Sequence, residues 1–203
     1  MNYETAPMTK PCFSLCVYCG SRPGNSTEFA AMAAAIGTWI GRHDGQLVYG
    51  GGHNGLMGIM ADAALAAGAR VVGVIPKALV EKEWAHTGCT ELHIVESMHE
   101  RKRIMAEQAD AFLALPGGIG TLEEFFEVWT WRQLGYHDKP VGLLNMDGFY
   151  DNLLAFLHSA VNTGFMNEWQ MELIRTGSDA ELLMKELVQA AGTTQPTAGL
   201  EQI

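Results

Sequence analysis

Two short stretches of the chain concentrate groups able to handle an anion and a proton. Met98-His99-Glu100-Arg101-Lys102-Arg103 sets three cations in a row, and Thr121-Leu122-Glu123-Glu124 sets two carboxylates behind a hydroxyl. Ser97 followed by Glu100 has the form of a capping box, so a helix starts there with Ser97 as its N-cap. The three cations then fall in its first turn and just beyond. The helix dipole disfavours positive charge in that place by a few tenths to ~1 kcal/mol for each exposed cation. Such a cluster is expected where something negative sits opposite. Arg101 shares a helix face with Met98 and Met105, the face that should look inward. Arg101 and Lys102 are therefore the candidate ligand contacts, and Arg103 a solvated neighbour.

Thr121 to Glu124 has the form of a second capping box, and two readings stay open for Glu124. It either bonds the backbone N–H of Thr121 as a cap or serves chemistry beside a bound anion. The neighbourhood favours the second, since a carboxylate next to an anion loop meets repulsion unless it has a task there. Three glycine-rich junctions supply that loop chemistry: residues 20–25, 50–55 and 116–121. Glycine lets backbone approach a ligand, and a following helix offers free N–H groups at the positive end of its dipole. None of the three contains the Gly-x-x-x-x-Gly-Lys-Ser/Thr of a triphosphate site, and the Gly-x-Gly-x-x-Gly dinucleotide fingerprint fails after Gly120. A compact monophosphate fits better than a triphosphate or a nicotinamide dinucleotide.

Cys16 and Cys19 have the Cys-x-x-Cys spacing of redox and zinc motifs. A structural zinc site needs a second ligand pair, and Cys89, with His86 and His93 nearby, lacks a recognised spacing. Cys16 also lies in the apolar run 13–19, so these thiols are read as core side chains and no metal is assigned.

The elements that must position these groups follow from periodicity. Apolar runs at 13–19, 46–49, 71–75, 111–115 and 141–144 read as buried strands. Helical patterns at 27–42, 56–67, 98–109, 122–134, 149–162 and 179–190 alternate with them. This predicts an α/β fold, a single doubly wound parallel sheet with helices on both faces. Its ligand belongs at the carboxyl ends of the strands, where strand order reverses. Residues 13–191 form one domain, preceded by an extension over 1–12 and followed by a loose tail over 192–203. The 203 residues carry a net charge of −10, which argues against a nucleic-acid binder relying on a broad basic surface. The longest uncharged stretch, 45–61, holds six glycines and His53, so no membrane span is read. No apolar leader segment is evident near the start, and a cytoplasmic location is expected. Around 122–134, Leu122, Phe125, Phe126 and Trp129 form one apolar stripe, while Val128, Trp131 and Leu134 lie elsewhere. A helix apolar on several sides is either deeply buried or part of a subunit interface, so a homodimer is expected.

Pro116-Gly117-Gly118-Ile119-Gly120-Thr121-Leu122-Glu123-Glu124 resembles the Pro-Gly-Gly-x-Gly-Thr-x-x-Glu motif of the LOG (LONELY GUY) family. Met98-His99-Glu100-Arg101-Lys102 resembles its Met-His-x-Arg-Lys segment, and the likeness runs from about Phe13 to Phe165. The resemblance implies a Rossmann-like cytokinin riboside 5′-monophosphate phosphoribohydrolase, homodimeric and without a cofactor. Such enzymes cleave N6-modified AMP, and often AMP itself, to free base and ribose 5-phosphate. It implies Arg101 and Glu124 as the catalytic pair. Substrate contacts are implied for Ser21, Gly51, Glu83, Met98, Lys102, Gly117, Gly118, Ile119, Gly120, Thr121, Leu122, Glu123 and Thr130. Glu83 sits in Glu81-Lys82-Glu83-Trp84, which departs from the family's Pro-Arg-Glu form. The family's older label, lysine decarboxylase, finds little support: pyridoxal chemistry needs a Schiff-base lysine, and of six lysines only Lys102 is near the site. Two rival readings are a non-catalytic carrier, such as the molybdenum-cofactor carrier proteins, and a general nucleoside-monophosphate nucleosidase.

Overall fold

The computed structural model describes residues 10–80, 84–192 and 200. Seven strands form one wholly parallel sheet: β1 (Ser14–Tyr18), β2 (Gln46–Tyr49), β3 (Arg70–Pro76), β4 (Glu91–Val95), β5 (Ala111–Ala114), β6 (Val141–Leu144) and β7 (Ile174–Gly177). Their order across the sheet is β4-β3-β2-β1-β5-β6-β7. The chain winds outward from β1 to β4, then returns to β1 on its other side with β5, in the register Leu15 beside Ala111 and Tyr18 beside Ala114. That reversal creates a crevice between the carboxyl ends of β1 and β5.

Strands β1, β2, β5 and β6 are buried along their whole length because helices cover both faces, hence their largely apolar runs. One face packs α1 (Thr27–Arg42), α2 (Gly55–Ala66) and α7 (Ala180–Ala191) around Leu15, Val17, Leu47, Tyr49 and Leu113. The other packs α3 (Met98–Glu107), α4 (Ile119–Gln133) and α5 (Asp151–Asn162) around Cys16, Tyr18, Val48, Phe112 and Leu143. A four-residue helix, α6 (Glu168–Met171), precedes β7 and is started by an Asn167–Gln170 capping box.

Strand alternation settles the cysteines. Cys16 belongs to one apolar layer and Cys19 to the other, and all four cysteines are free. Two thiols on opposite sides of a sheet cannot join each other or share a metal. Burial pushes both thiols well above the usual thiol range, which leaves them inert.

The sequence reading missed two strands, β4 and β7, and these are the two edges of the sheet. Of the expected tail, Leu200 is described and is buried in the second apolar layer; residues 193–199 and 201–203, and the extension up to residue 9, lie outside the described residues.

Candidate active site

Three strand ends meet at the crevice. Gly20 N–H, just past β1, donates to the carbonyl of Pro116 after β5 (3.2 Å). Leu56 N–H, at the start of α2, donates to the carbonyl of Gly20 (3.1 Å). The three glycine-rich junctions therefore do converge on one sheet edge. Gly117 is needed for that convergence, because a Cβ there would collide with the Thr121 hydroxyl and with Gly20 N.

The Thr121 capping box is a correction. The N-cap of α4 is Gly118, and Thr121 lies inside the helix as its third residue. Thr121 and Glu124 thus do not form a capping box at the N-cap. The N-cap Gly118 offers no side chain to the start of α4, whose first N–H groups, on Ile119, Gly120 and Thr121, have no acceptor within the helix backbone. Gly118 and Gly120 also leave open space where a Cβ would stand. A fifteen-residue helix opening this way is able to receive an anion.

Arg101 enters from α3, whose start is as expected: Ser97 Oγ accepts from Glu100 N–H (3.1 Å). Glu100 Oε2 reaches back one residue further than a capping box requires, accepting from Glu96 N–H (3.0 Å). The cap aims Arg101 inward, where the residue is 5% exposed. Its Nε donates to the carbonyl of Val74 in β3 (3.0 Å), and one terminal nitrogen donates to the carbonyl of Gly50 (2.9 Å). Gly50 must be glycine, since a Cβ would occupy the position of that nitrogen. The other terminal nitrogen lies 3.9 Å from Glu124 Oε1. Strand-end carbonyls therefore hold the guanidinium while its remaining edge faces the carboxylate.

A cavity of about 180 Å³ opens between these groups, lined by Cys19, Ser21, Met57, Arg101, Gly118, Ile119, Gly120, Thr121 and Glu124. A larger cavity of about 580 Å³ shares Ser21, Gly118 and Ile119 with it and adds Arg22, Phe29, Leu56, Gly117 and Phe149. One is polar and narrow, the other wider and partly aromatic. Together they are of a size that suits a small-molecule ligand.

The other implied contacts lie elsewhere in the chain. Lys102 Nζ bridges α3 to α4 through Glu123 (2.6 Å) and Glu127 (2.8 Å). Burial alone would lower its pKa, but the hydrogen bonds to Glu123 and Glu127 outweigh that and hold it above the ordinary lysine range. Leu122 packs against the second apolar layer. Gly51 is buried behind the crevice, where its carbonyl accepts from His86 N–H. Met98 is exposed, its sulfur 3.8 Å from Arg101. Thr130 is exposed three turns along α4 and lines neither cavity. Glu83 lies outside the described residues. Arg103 pairs with Glu107 on the surface, as expected of a solvated cation. Trp129 and Trp131 are core residues, 4% and 6% exposed.

Sequence reasoning missed Cys19, Met57, Phe29 and Phe149 as cavity walls. Arg22 sat within a quoted glycine junction and offered a signal; the others are single apolar residues that read as core.

The family model described as "Possible lysine decarboxylase" matches residues 57–187. A cytokinin riboside 5′-monophosphate phosphoribohydrolase of Rhodococcoides fascians is 51% identical over 154 residues, covering 75% of this chain and 78% of the relative. One from Arabidopsis thaliana is 47% identical over 173 residues, covering 85% and 81%. Among solved structures, the molybdenum cofactor carrier protein of Chlamydomonas reinhardtii superposes with a TM-score of 0.68 at 19% identity, over 91% of this chain and all of that one. The molybdenum cofactor binding protein of Rippkaea orientalis gives 0.66 at 22%, over 92% and 99%. At that identity the structural likeness speaks for the fold alone, whereas the sequence relatives share most of their length with this chain. The chain belongs to the LOG family of cytokinin riboside 5′-monophosphate phosphoribohydrolases, the group that the older lysine decarboxylase description also covers.

Proposed function

We propose that the protein hydrolyses the N-glycosidic bond of N6-modified adenosine 5′-monophosphates, and of AMP, to free base and ribose 5-phosphate. The observation that carries this reading is the Arg101–Glu124 pair, 3.9 Å apart across a cavity that ends on the uncapped start of α4. Cleaving a ribosyl C–N bond builds oxocarbenium-like positive charge on the sugar. Glu124 stabilises that charge and orients or deprotonates the attacking water. Arg101 fixes the substrate and Glu124 relative to each other. The 5′-phosphate accepts hydrogen bonds from the first N–H groups of α4 and from the Thr121 hydroxyl, so binding energy far from the scissile bond positions the sugar. The carrier reading has only the fold in its favour, and that fold is compatible with many functions.

The test is incubation with AMP, with isopentenyl-adenosine monophosphate and with adenosine, following release of free base. Base is expected from both monophosphates and almost none from the nucleoside. Release from none of the three would overturn the reading, and equal rates from AMP and adenosine would remove the phosphate role of α4. We also propose a cytoplasmic homodimer. Support for the dimer is that Thr130, an implied substrate contact, lies outside the cavities of its own chain; light scattering in solution tests it. Support for the location is that all four cysteines are free thiols.

A further inference from the structure

Three segments bring two imidazoles onto one carboxylate at a place that lines neither cavity. His53 follows β2, Asp62 lies in the middle of α2, and His86 belongs to the loop before β4. His53 Nε2 is 3.1 Å from Asp62 Oδ2, and His86 Nε2 is 2.8 Å from Asp62 Oδ1. All three ligand atoms lie within 4.8 Å of one another, and the two rings meet edge to face with centroids 4.3 Å apart. We propose that His53, Asp62 and His86 form a zinc-binding site.

The donor set selects the metal. Imidazole nitrogen suits zinc and its neighbours, whereas magnesium and calcium prefer oxygen ligands throughout. With metal–ligand bonds near 2.0–2.1 Å, tetrahedral ligands stand roughly 3.3 Å apart. The two imidazole–carboxylate separations need to open by a few tenths of an ångström and the remaining one, at most 4.8 Å, to settle near the same value, an adjustment the half-exposed His53 side chain can supply. His86 is 4% exposed and anchors the site, while the Asp62 side chain is 58% exposed and leaves a path for the ion and a fourth, solvent ligand.

An outer layer supports the anchor. His86 Nδ1 is 3.3 Å from Cys89 Sγ, which is itself 3.3 Å from the hydroxyl of the buried Tyr49 in β2. Coordination through Nε2 requires the hydrogen on Nδ1, and Cys89 Sγ stands where that hydrogen is accepted. The same place is already tied by backbone: His86 N–H donates to the carbonyl of Gly51 and His53 N–H to that of Trp84. A bound ion therefore fastens the junction after β2 to the loop before β4.

The test is calorimetric titration of metal-free protein with zinc sulfate, repeated with cobalt(II) for its visible absorption. One zinc per chain is expected, with a cobalt spectrum of tetrahedral intensity. His53→Ala and Asp62→Ala each weaken binding by about 100-fold or more, and Cys89→Ala by about 10-fold through the outer layer. His93→Ala, whose imidazole also pairs with a carboxylate, Glu91, leaves the isotherm unchanged. His53 is exposed, so its variant keeps the fold, checked by the melting temperature without metal. The absence of saturable uptake, zinc binding by His53→Ala as tight as by the parent chain, or displacement by magnesium would each overturn the proposal.

Discussion

The starts of α3 and α4 lie some twenty residues apart in sequence and meet across the same crevice, yet they are built in opposite ways. At α3, Ser97 and Glu100 consume two backbone donors, and the helix end is closed by its own side chains. At α4 a bare glycine stands at the N-cap and supplies no capping hydrogen bond. The closed start is a mount that holds Arg101 still. In the proposed function the open start is the receptor, because its glycine cap leaves the first N–H groups without an N-cap acceptor. A shared sequence pattern, hydroxyl then carboxylate three residues on, describes both places and is obeyed at only one.

The largest effect should come from the group that α4 presents to the substrate. Glu124→Gln removes the charge and keeps the shape, so kcat should fall by about 10²–10⁴-fold while KM changes little. Full activity in a turnover assay would show that the open start serves binding without chemistry. Next is Gly117→Ala, which forces Thr121 away from the loop. We expect kcat/KM to drop roughly 10²-fold, the scale of a one-ångström misplacement, with circular dichroism unchanged.

Gly118→Asp converts the open start into a closed one, and the place its Cβ would take is open space. KM for AMP should rise about tenfold or more, as a carboxylate takes the phosphate's place, while stability rises by a few tenths of a kcal/mol. An unchanged KM would break the contrast between the two helices. The smallest effect belongs to Ser97→Ala. It should cost about 1 kcal/mol in denaturant unfolding and leave kcat within about twofold, since Arg101 keeps its bonds to Val74 and Gly50.

The sheet interior was readable because strands covered on both faces are continuous apolar runs, as at Gln46–Tyr49 and Val141–Leu144. Edge strands escape that signal. In β4, Glu91-Leu92-His93-Ile94 is only partly buried, and in β7 Arg175 and Thr176 face solvent. Each has one neighbouring strand and tolerates polar residues that read as loop. For the site, Arg101 and Glu124 were legible because a charge against a dipole, or beside an anion loop, demands an explanation. The true N-cap of α4 was not, because a glycine cap leaves no side-chain signature and Thr121 to Glu124 imitated a cap three residues late. Nor was the His53–Asp62–His86 cluster, whose members sit on three different segments and join only through the fold.

The adjacency of β1 and β5 also governs when the protein can become active during synthesis. Their pairing joins residues about a hundred positions apart, and the walls of the crevice are drawn from both sides of that long connection. A nascent chain halted after α3 would own its guanidinium but neither the acid nor the loop opposite. Competence should therefore appear late and all at once on the ribosome, and two fragments divided after α3 should be inert apart and regain turnover only when recombined.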